Sequence, residues 1–241
     1  MSTTSYNIHD KFFKETFLHI ETVQSFLEQY IPPEMASMLD IDTLQERPES
    51  FVDKELHEYF SDKLYRVQLK SGEADEGIFV YILFEHKSYV YKYTAFQMLR
   101  YMVKIWEKQL EQNEELTVIL PIVFYQGKEA WTAPKSMREI IKVQSPELKK
   151  LIPESEFILF TLSALAQEEI QGEPLLKFYL RLLWEIPRGI DFKRLEEIYS
   201  ILEEPPSSGV RSDFIKTLVI YLIYATNIKK RIYRNLLKID Q

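Results

Sequence analysis

The chain has 241 residues, of which 46% are hydrophobic and 28% charged, and its net charge is −7. This is the composition of an ordinary soluble protein, long enough for one sizeable core or a core with a small appendage. The chain contains no cysteine, which excludes disulfides, thiolate nucleophiles and Cys-ligated zinc. Its four histidines lack metal-ligand spacing, and no G-x-G-x-x-G or Walker motif is present, which argues against nucleotide-driven chemistry.

Asn7 and Asp10 mark a helix start. Phe13, Phe17, Ile20, Val23 and Leu27 then recur at helical spacing until Pro32-Pro33 stop the helix. Residues 34–49 read as loop and short helix, and residues 50–53 as a short strand. Leu64 to Leu69 reads as a strand, followed by a polar turn over residues 71–77. Ile78 to Phe84 is apolar on both faces, which predicts a central strand paired with it as a hairpin. Residues 91–112 turn helical, with Ala95, Met98, Leu99, Met102 and Trp106 on one side. Val118 to Tyr125 is a buried strand ended by Gly127, and residues 157–162 add another. Beyond Pro174 the chain is mostly helical. A linker at Pro205 to Gly209 precedes a last helix that ends in Lys229, Lys230, Arg231, Arg234 and Lys238. The polar N-terminus is unlike a signal peptide, and the apolar stretch around Thr217 to Ala225 is too short to span a bilayer, so a cytoplasmic protein without membrane contact is expected. The order predicts a mixed α/β fold, a hairpin-rich sheet flanked by helices.

If Lys70 faces Gly77 across the turn, paired residue numbers sum to 147, and Asp62 lies opposite Glu85. Opposed residues of an antiparallel pair share a face, with Cβ atoms roughly 4.5–5.5 Å apart. Two carboxylates that close repel each other, and a divalent cation is the simplest reason to keep them. Mg²⁺, which favours a few carboxylate oxygens and retained waters, is the expected cofactor, with Mn²⁺ as a substitute. Lys87 is two residues beyond Glu85 and shares its face. Such a set suits phosphodiester hydrolysis: the metal polarises the phosphate and activates water, and the lysine orients that water or stabilises negative charge. The competing reading makes Glu85-His86-Lys87 a solvated strand end. His86 points to the other face and reads as structural.

The stretches HDKFFKETF, SFVDKELHEYFSDKLYRVQL, FEHKS, FQMLRYMVKIWEKQ and LPIVFYQGKEAW resemble the Rpn family of recombination-promoting nucleases, also labelled YhgA-like transposases. The resemblance covers about residues 7–135. It implies a PD-(D/E)XK, restriction-endonuclease-like αβββαβ core, with residues 1–170 as the nuclease-like domain and 171–241 as a helical extension. It implies that Asp62 in SDKLY is a metal ligand and Glu85 in FEHKS a second one. Many relatives carry glutamine where this chain has Lys87, a departure toward the superfamily's general pattern. Asp10 matches an acidic position near the first helix that some members use as an extra ligand. Gln97 and Tyr101 resemble a Gln/Tyr helix motif of related nucleases. Arg100, Lys104 and Lys108 form a basic stripe on the same helix, read equally as a phosphate contact or a solvated face. The implied activity is a Mg²⁺-dependent DNA endonuclease that promotes recombination, with a homodimer as one assembly. The alternatives are an inactive DNA-binding or regulatory module and transposase-type strand transfer. The net charge of −7 requires any DNA contact to be local.

Overall fold

The computed structural model describes residues 11–47, 63–70, 79–202 and 216–223, with the side chains of residues 79–83 and 85 outside that description. The predicted strand at 50–53, the turn at 71–77, the linker at 205–209 and the basic C-terminal run all lie outside the described residues. By contact the chain falls into two compact units, residues 30–164 and residues 1–29 with 165–241.

The unit of residues 30–164 is built on a five-stranded mixed sheet in the order β1-β2-β3-β4-β5. The strands are β1 (Leu39–Glu46), β2 (Lys63–Leu69), β3 (Phe79–Lys87), β4 (Val118–Tyr125) and β5 (Ile158–Thr161). β1, β2 and β3 are antiparallel neighbours, and β4 and β5 continue the sheet in parallel. The helices in chain order are α1 (Ile20–Tyr30), α2 (Pro33–Met38), α3 (Thr94–Glu111), α4 (Met137–Ile140), α5 (Pro146–Lys149), α6 (Pro174–Glu185) and α7 (Phe192–Tyr199). The predicted order of helix, three strands, helix and strand is therefore present, and β3 is central. Parallel β3 and β4 need a crossover, and α3 supplies it. Ala95, Met98, Tyr101, Met102 and Ile105 of α3 bury against Leu64, Ile119, Val123 and Phe157. Asn113, in the left-handed region at φ 55°, turns the chain out of α3. The fully buried Gln109 then ties the helix end to the start of β4 through Thr117 Oγ1 at 2.9 Å.

Two expectations are corrected. β1 occupies residues expected to be loop or short helix. Its register shifts between Asp40 and Gln45, so Leu39, Ile41 and Leu44 bury out of two-residue step and the strand period is hidden. The first helix is broken. Residues 11–16 are helical, residues 17–19 are not, and α1 begins at Ile20. Thr16 returns its hydroxyl to Phe12 O at 2.9 Å, a back-bond that bends helices, and His19 O then accepts from Thr22 N and Val23 N to start α1.

The other unit has an aromatic core. The Phe12 ring stacks on Tyr221 at 4.4 Å, and Phe17 meets Tyr179 edge-on at 5.7 Å. Gly172, at φ +126°, turns the chain into α6. Glu173 then caps that helix, accepting from Leu175 N, Leu176 N and the Thr22 hydroxyl.

Candidate functional site

β3 does not stop at Phe84. It pairs with β4 through Glu85↔Val123, His86↔Phe124 and Lys87↔Tyr125, and Gln126 N donates to Lys87 O at 2.9 Å. Lys87 is only 3% exposed, so it is not a solvated strand end. A six-residue loop, 88–93, leads from β3 into α3, which brings the first turns of α3 back over Lys87. Lys87 Nζ donates to Gln97 Oε1 at 2.9 Å. Gln97 Nε2 donates in turn to the Tyr101 hydroxyl, four residues on along the same helix face. Tyr101 is buried in the α3 core, and the Arg100 guanidinium lies 5.9 Å from its ring centroid. Lys87, named from the E-x-K pattern, and Gln97 and Tyr101, named from the helix motif, thus form one hydrogen-bonded chain whose middle member, Gln97, is half-buried. His86, on the alternate face, is buried with its ring 6.0 Å from that of Phe124.

The β2–β3 register runs from Lys63↔Phe84 to Gln68↔Phe79, so each pair sums to 147, as the hairpin reading requires. Asp62, Asp10 and the Glu85 side chain lie outside the described residues. Among the described residues, no three His, Asp or Glu side chains gather to hold a metal. On α3, Lys104 pairs with Glu107 at 2.7 Å and Lys108 with Glu111 at 2.9 Å, so much of the expected basic stripe is matched by acids of its own helix. Among the described residues, no helix is long and apolar enough to cross a membrane.

The end of β4 adds a feature that the sequence reading did not single out. Gln126 Oε1 is buried without a hydrogen-bond partner, on the residue whose backbone is bonded to Lys87. The only signal in the sequence was its position, directly after an apolar strand and before Gly127. Tyr125, the register partner of Lys87, donates its hydroxyl to Glu129 O at 2.9 Å and meets Trp131 edge-on at 5.0 Å. Burial pushes the Tyr125 phenol up from its ordinary value, and the nearby Glu129 charge adds to this.

The family described as "Putative transposase, YhgA-like" matches residues 7–209. The chain belongs to this family. It is similar to recombination-promoting nuclease RpnC of Escherichia coli (strain K12), 32% identical over 211 residues that cover 87% of this chain and 68% of the relative. It is 29% identical to RpnA of the same strain over 217 residues, 89% of this chain and 71% of that protein. A third relative from that strain, the inactive recombination-promoting nuclease-like protein RpnE, is 29% identical over 170 residues, 70% of this chain and 55% of its own length. The chain thus spans between about half and about seven tenths of these relatives. No solved structure matches.

Proposed function

We propose that this member of the family is a metal-dependent endonuclease that hydrolyses DNA phosphodiester bonds and so promotes recombination. The observation that carries the reading is the buried Lys87 ammonium at the end of central strand β3, held by Gln97 and through it by Tyr101. Burying a cation is costly, so an ammonium placed here needs fixed partners and a reason to be kept. The β2–β3 register supports a place for the metal beside it. Continued by one residue, that register would bring Asp62 opposite Glu85, and strand alternation would give Glu85 the face of Lys87, as the sequence reading expects. Asp62 and Glu85 would hold Mg²⁺ or Mn²⁺, with Asp10 as a further candidate ligand. The bound ion supplies Lewis acidity toward the phosphate and lowers the pKa of water. Lys87 offers its ammonium to the phosphate oxygen on which charge develops, or orients the attacking water. Gln97 fixes the Lys87 side chain, and the Tyr101 hydroxyl fixes the Gln97 amide.

The names of RpnC and RpnA support the nuclease reading, and the name of RpnE supports a second one, a DNA-binding module that does not cut. Incubation of the purified chain with supercoiled plasmid separates them. Nicking or linearisation is expected with Mg²⁺ or Mn²⁺, and none with EDTA, with Ca²⁺ or with Asp62→Ala. Intact plasmid under every condition, with DNA still bound, would favour the second reading. Equal cutting in EDTA would remove the metal from the mechanism.

A further inference from the structure

The crossover from β4 to β5 carries positive charge that the cleavage site does not use. It contains a cavity of about 830 Å³ whose charged lining is Arg138, Lys142, Lys149 and Lys150. No acid lines it. Between Arg138 and Glu154 the chain has three acids, Glu139, Glu147 and Glu154. Glu139 accepts from Lys135 N at 3.1 Å and from the Ser136 hydroxyl at 3.3 Å, and Glu147 accepts from the Ser145 hydroxyl at 2.7 Å. Among the described residues, only Glu154 neutralises a cation of the cavity, Arg138. Among the described residues, no ion pair holds Lys142, Lys149 or Lys150.

The frame that carries these cations is fixed. Ser136 caps α4 through Glu139 N, and Ser145 caps α5 through Leu148 N. Met137 and Ile152 anchor the segment, each 7% exposed. Three like charges held around one concavity repel each other, and an anion relieves that repulsion. A space of about 830 Å³ is far larger than one phosphate needs. The crossover also packs on the side of the sheet that carries α3 and the Lys87 ammonium. Trp131 lies against Tyr125 and Phe157, and Ile140 lies against the α3 core.

We infer that this basic cavity binds the phosphate backbone of DNA beside the bond that is cut. The inference rests on the nuclease reading. An overall charge of −7 requires the DNA contact to be concentrated in a local cationic zone. On α3, Lys104 and Lys108 already face acids of their own helix, whereas the crossover lysines do not.

The test is fluorescence anisotropy with a labelled DNA duplex, without divalent ions, across a salt series. It compares wild type with a Lys142→Ala, Lys149→Ala, Lys150→Ala triple variant, the corresponding triple arginine variant, and a Lys104→Ala, Lys108→Ala double variant. Thermal melts confirm that these exposed substitutions leave the fold intact. The triple alanine variant should bind on the order of tenfold to a hundredfold more weakly at low salt. Its plot of log affinity against log salt should flatten by about 0.9 per lysine removed. The arginine variant should bind like wild type, and the α3 variant should change little. Unchanged affinity and slope in the triple alanine variant would overturn the inference, as would a wild type that does not bind duplex. Calorimetric binding of inorganic phosphate that is lost in the triple variant, with duplex affinity intact, would also overturn it in favour of a small phosphorylated ligand. Because no metal is present, the two failures are distinguishable: a wild type that binds duplex through these lysines and does not cut plasmid sinks the nuclease reading and leaves only the DNA contact standing.

Discussion

At the scale of single residues, the site turns on one ammonium. Lys87 is inside the protein, and Gln97 and Tyr101 give its position to it. Lys87→Ala is expected to lower single-turnover cleavage on the order of 10²–10³-fold, the usual cost of losing a charge-stabilising group. Mn²⁺ affinity, read by calorimetry, should stay level or rise slightly, because a cation near the metal has been removed. Lys87→Gln should retain more activity than alanine. Wild-type rates in Lys87→Ala would end the catalytic reading. Gln97 acts through Lys87 and is a positioning residue. Gln97→Ala should lower the rate at saturating DNA while leaving KM unchanged, and Gln97→Glu, which restores an acceptor, should recover most of the loss. Gln126 is different, because its buried Oε1 has no partner. A buried unsatisfied acceptor costs about 1–3 kcal/mol, so Gln126→Leu should raise unfolding free energy by about 1 kcal/mol in a urea melt. If cleavage falls at the same time, the acceptor is kept for function at the expense of stability. A destabilised Gln126→Leu protein would contradict this.

At the scale of elements, Glu173 shows how one side chain can hold a helix. Its two oxygens accept from Leu175 N and Leu176 N at 2.7 and 2.6 Å, and one of them also accepts from the Thr22 hydroxyl at 2.7 Å. Glu173→Ala removes the cap of α6 and leaves those donors unmet. It should destabilise by about 1–2 kcal/mol by chemical denaturation, and Glu173→Gln by less. An unchanged midpoint would show that water replaces the cap. Gly127 has a similar role at the end of β4. A Cβ there would run into the Tyr125 ring, so Gly127→Ala must displace a ring that rests on Trp131 and bonds to Glu129 O. Elements with a strong, simple pattern were legible in the sequence: the unbroken apolar run of β4, the stripe of α3, and the hairpin register that follows from one turn. β1 was not legible, because its register shift ends the strand period after Asp42 and aspartates are poor strand formers. The break after residue 16 was not legible either, since Phe13, Phe17 and Ile20 keep helical spacing across it. Lys87 and Gln97 were both named from the sequence. Their hydrogen bond depends on the path of loop 88–93, which no periodicity encodes.

At the scale of the whole molecule, each contact unit encloses a tyrosine that resists ionisation. In the unit of residues 30–164 it is Tyr65 on β2, whose phenol is pushed well above its ordinary value by burial and then by the Glu46 charge. In the other unit it is Tyr221, pushed up by burial alone and stacked on Phe12. The sign of the linkage follows. Near pH 10 an unfolded tyrosine loses its proton while the folded one keeps it. The unfolded chain then binds fewer protons, so stability is fully present below about pH 10 and falls as pH rises beyond it. Each such tyrosine steepens the fall by about 1.4 kcal/mol per pH unit. Lysines titrate in the same range, so the raw pH profile cannot isolate the effect, but phenylalanine substitutions can. Tyr65→Phe and Tyr221→Phe should each flatten the decline in urea-unfolding free energy between pH 10 and pH 11 by about one proton's slope. Each should also remove one phenolate from the absorbance rise at 295 nm that accompanies unfolding. Because the two residues lie in different units, the double variant should lose about two protons' worth of slope. If neither substitution alters the slope, these phenols ionise within the folded protein, and their burial does not govern its alkaline stability.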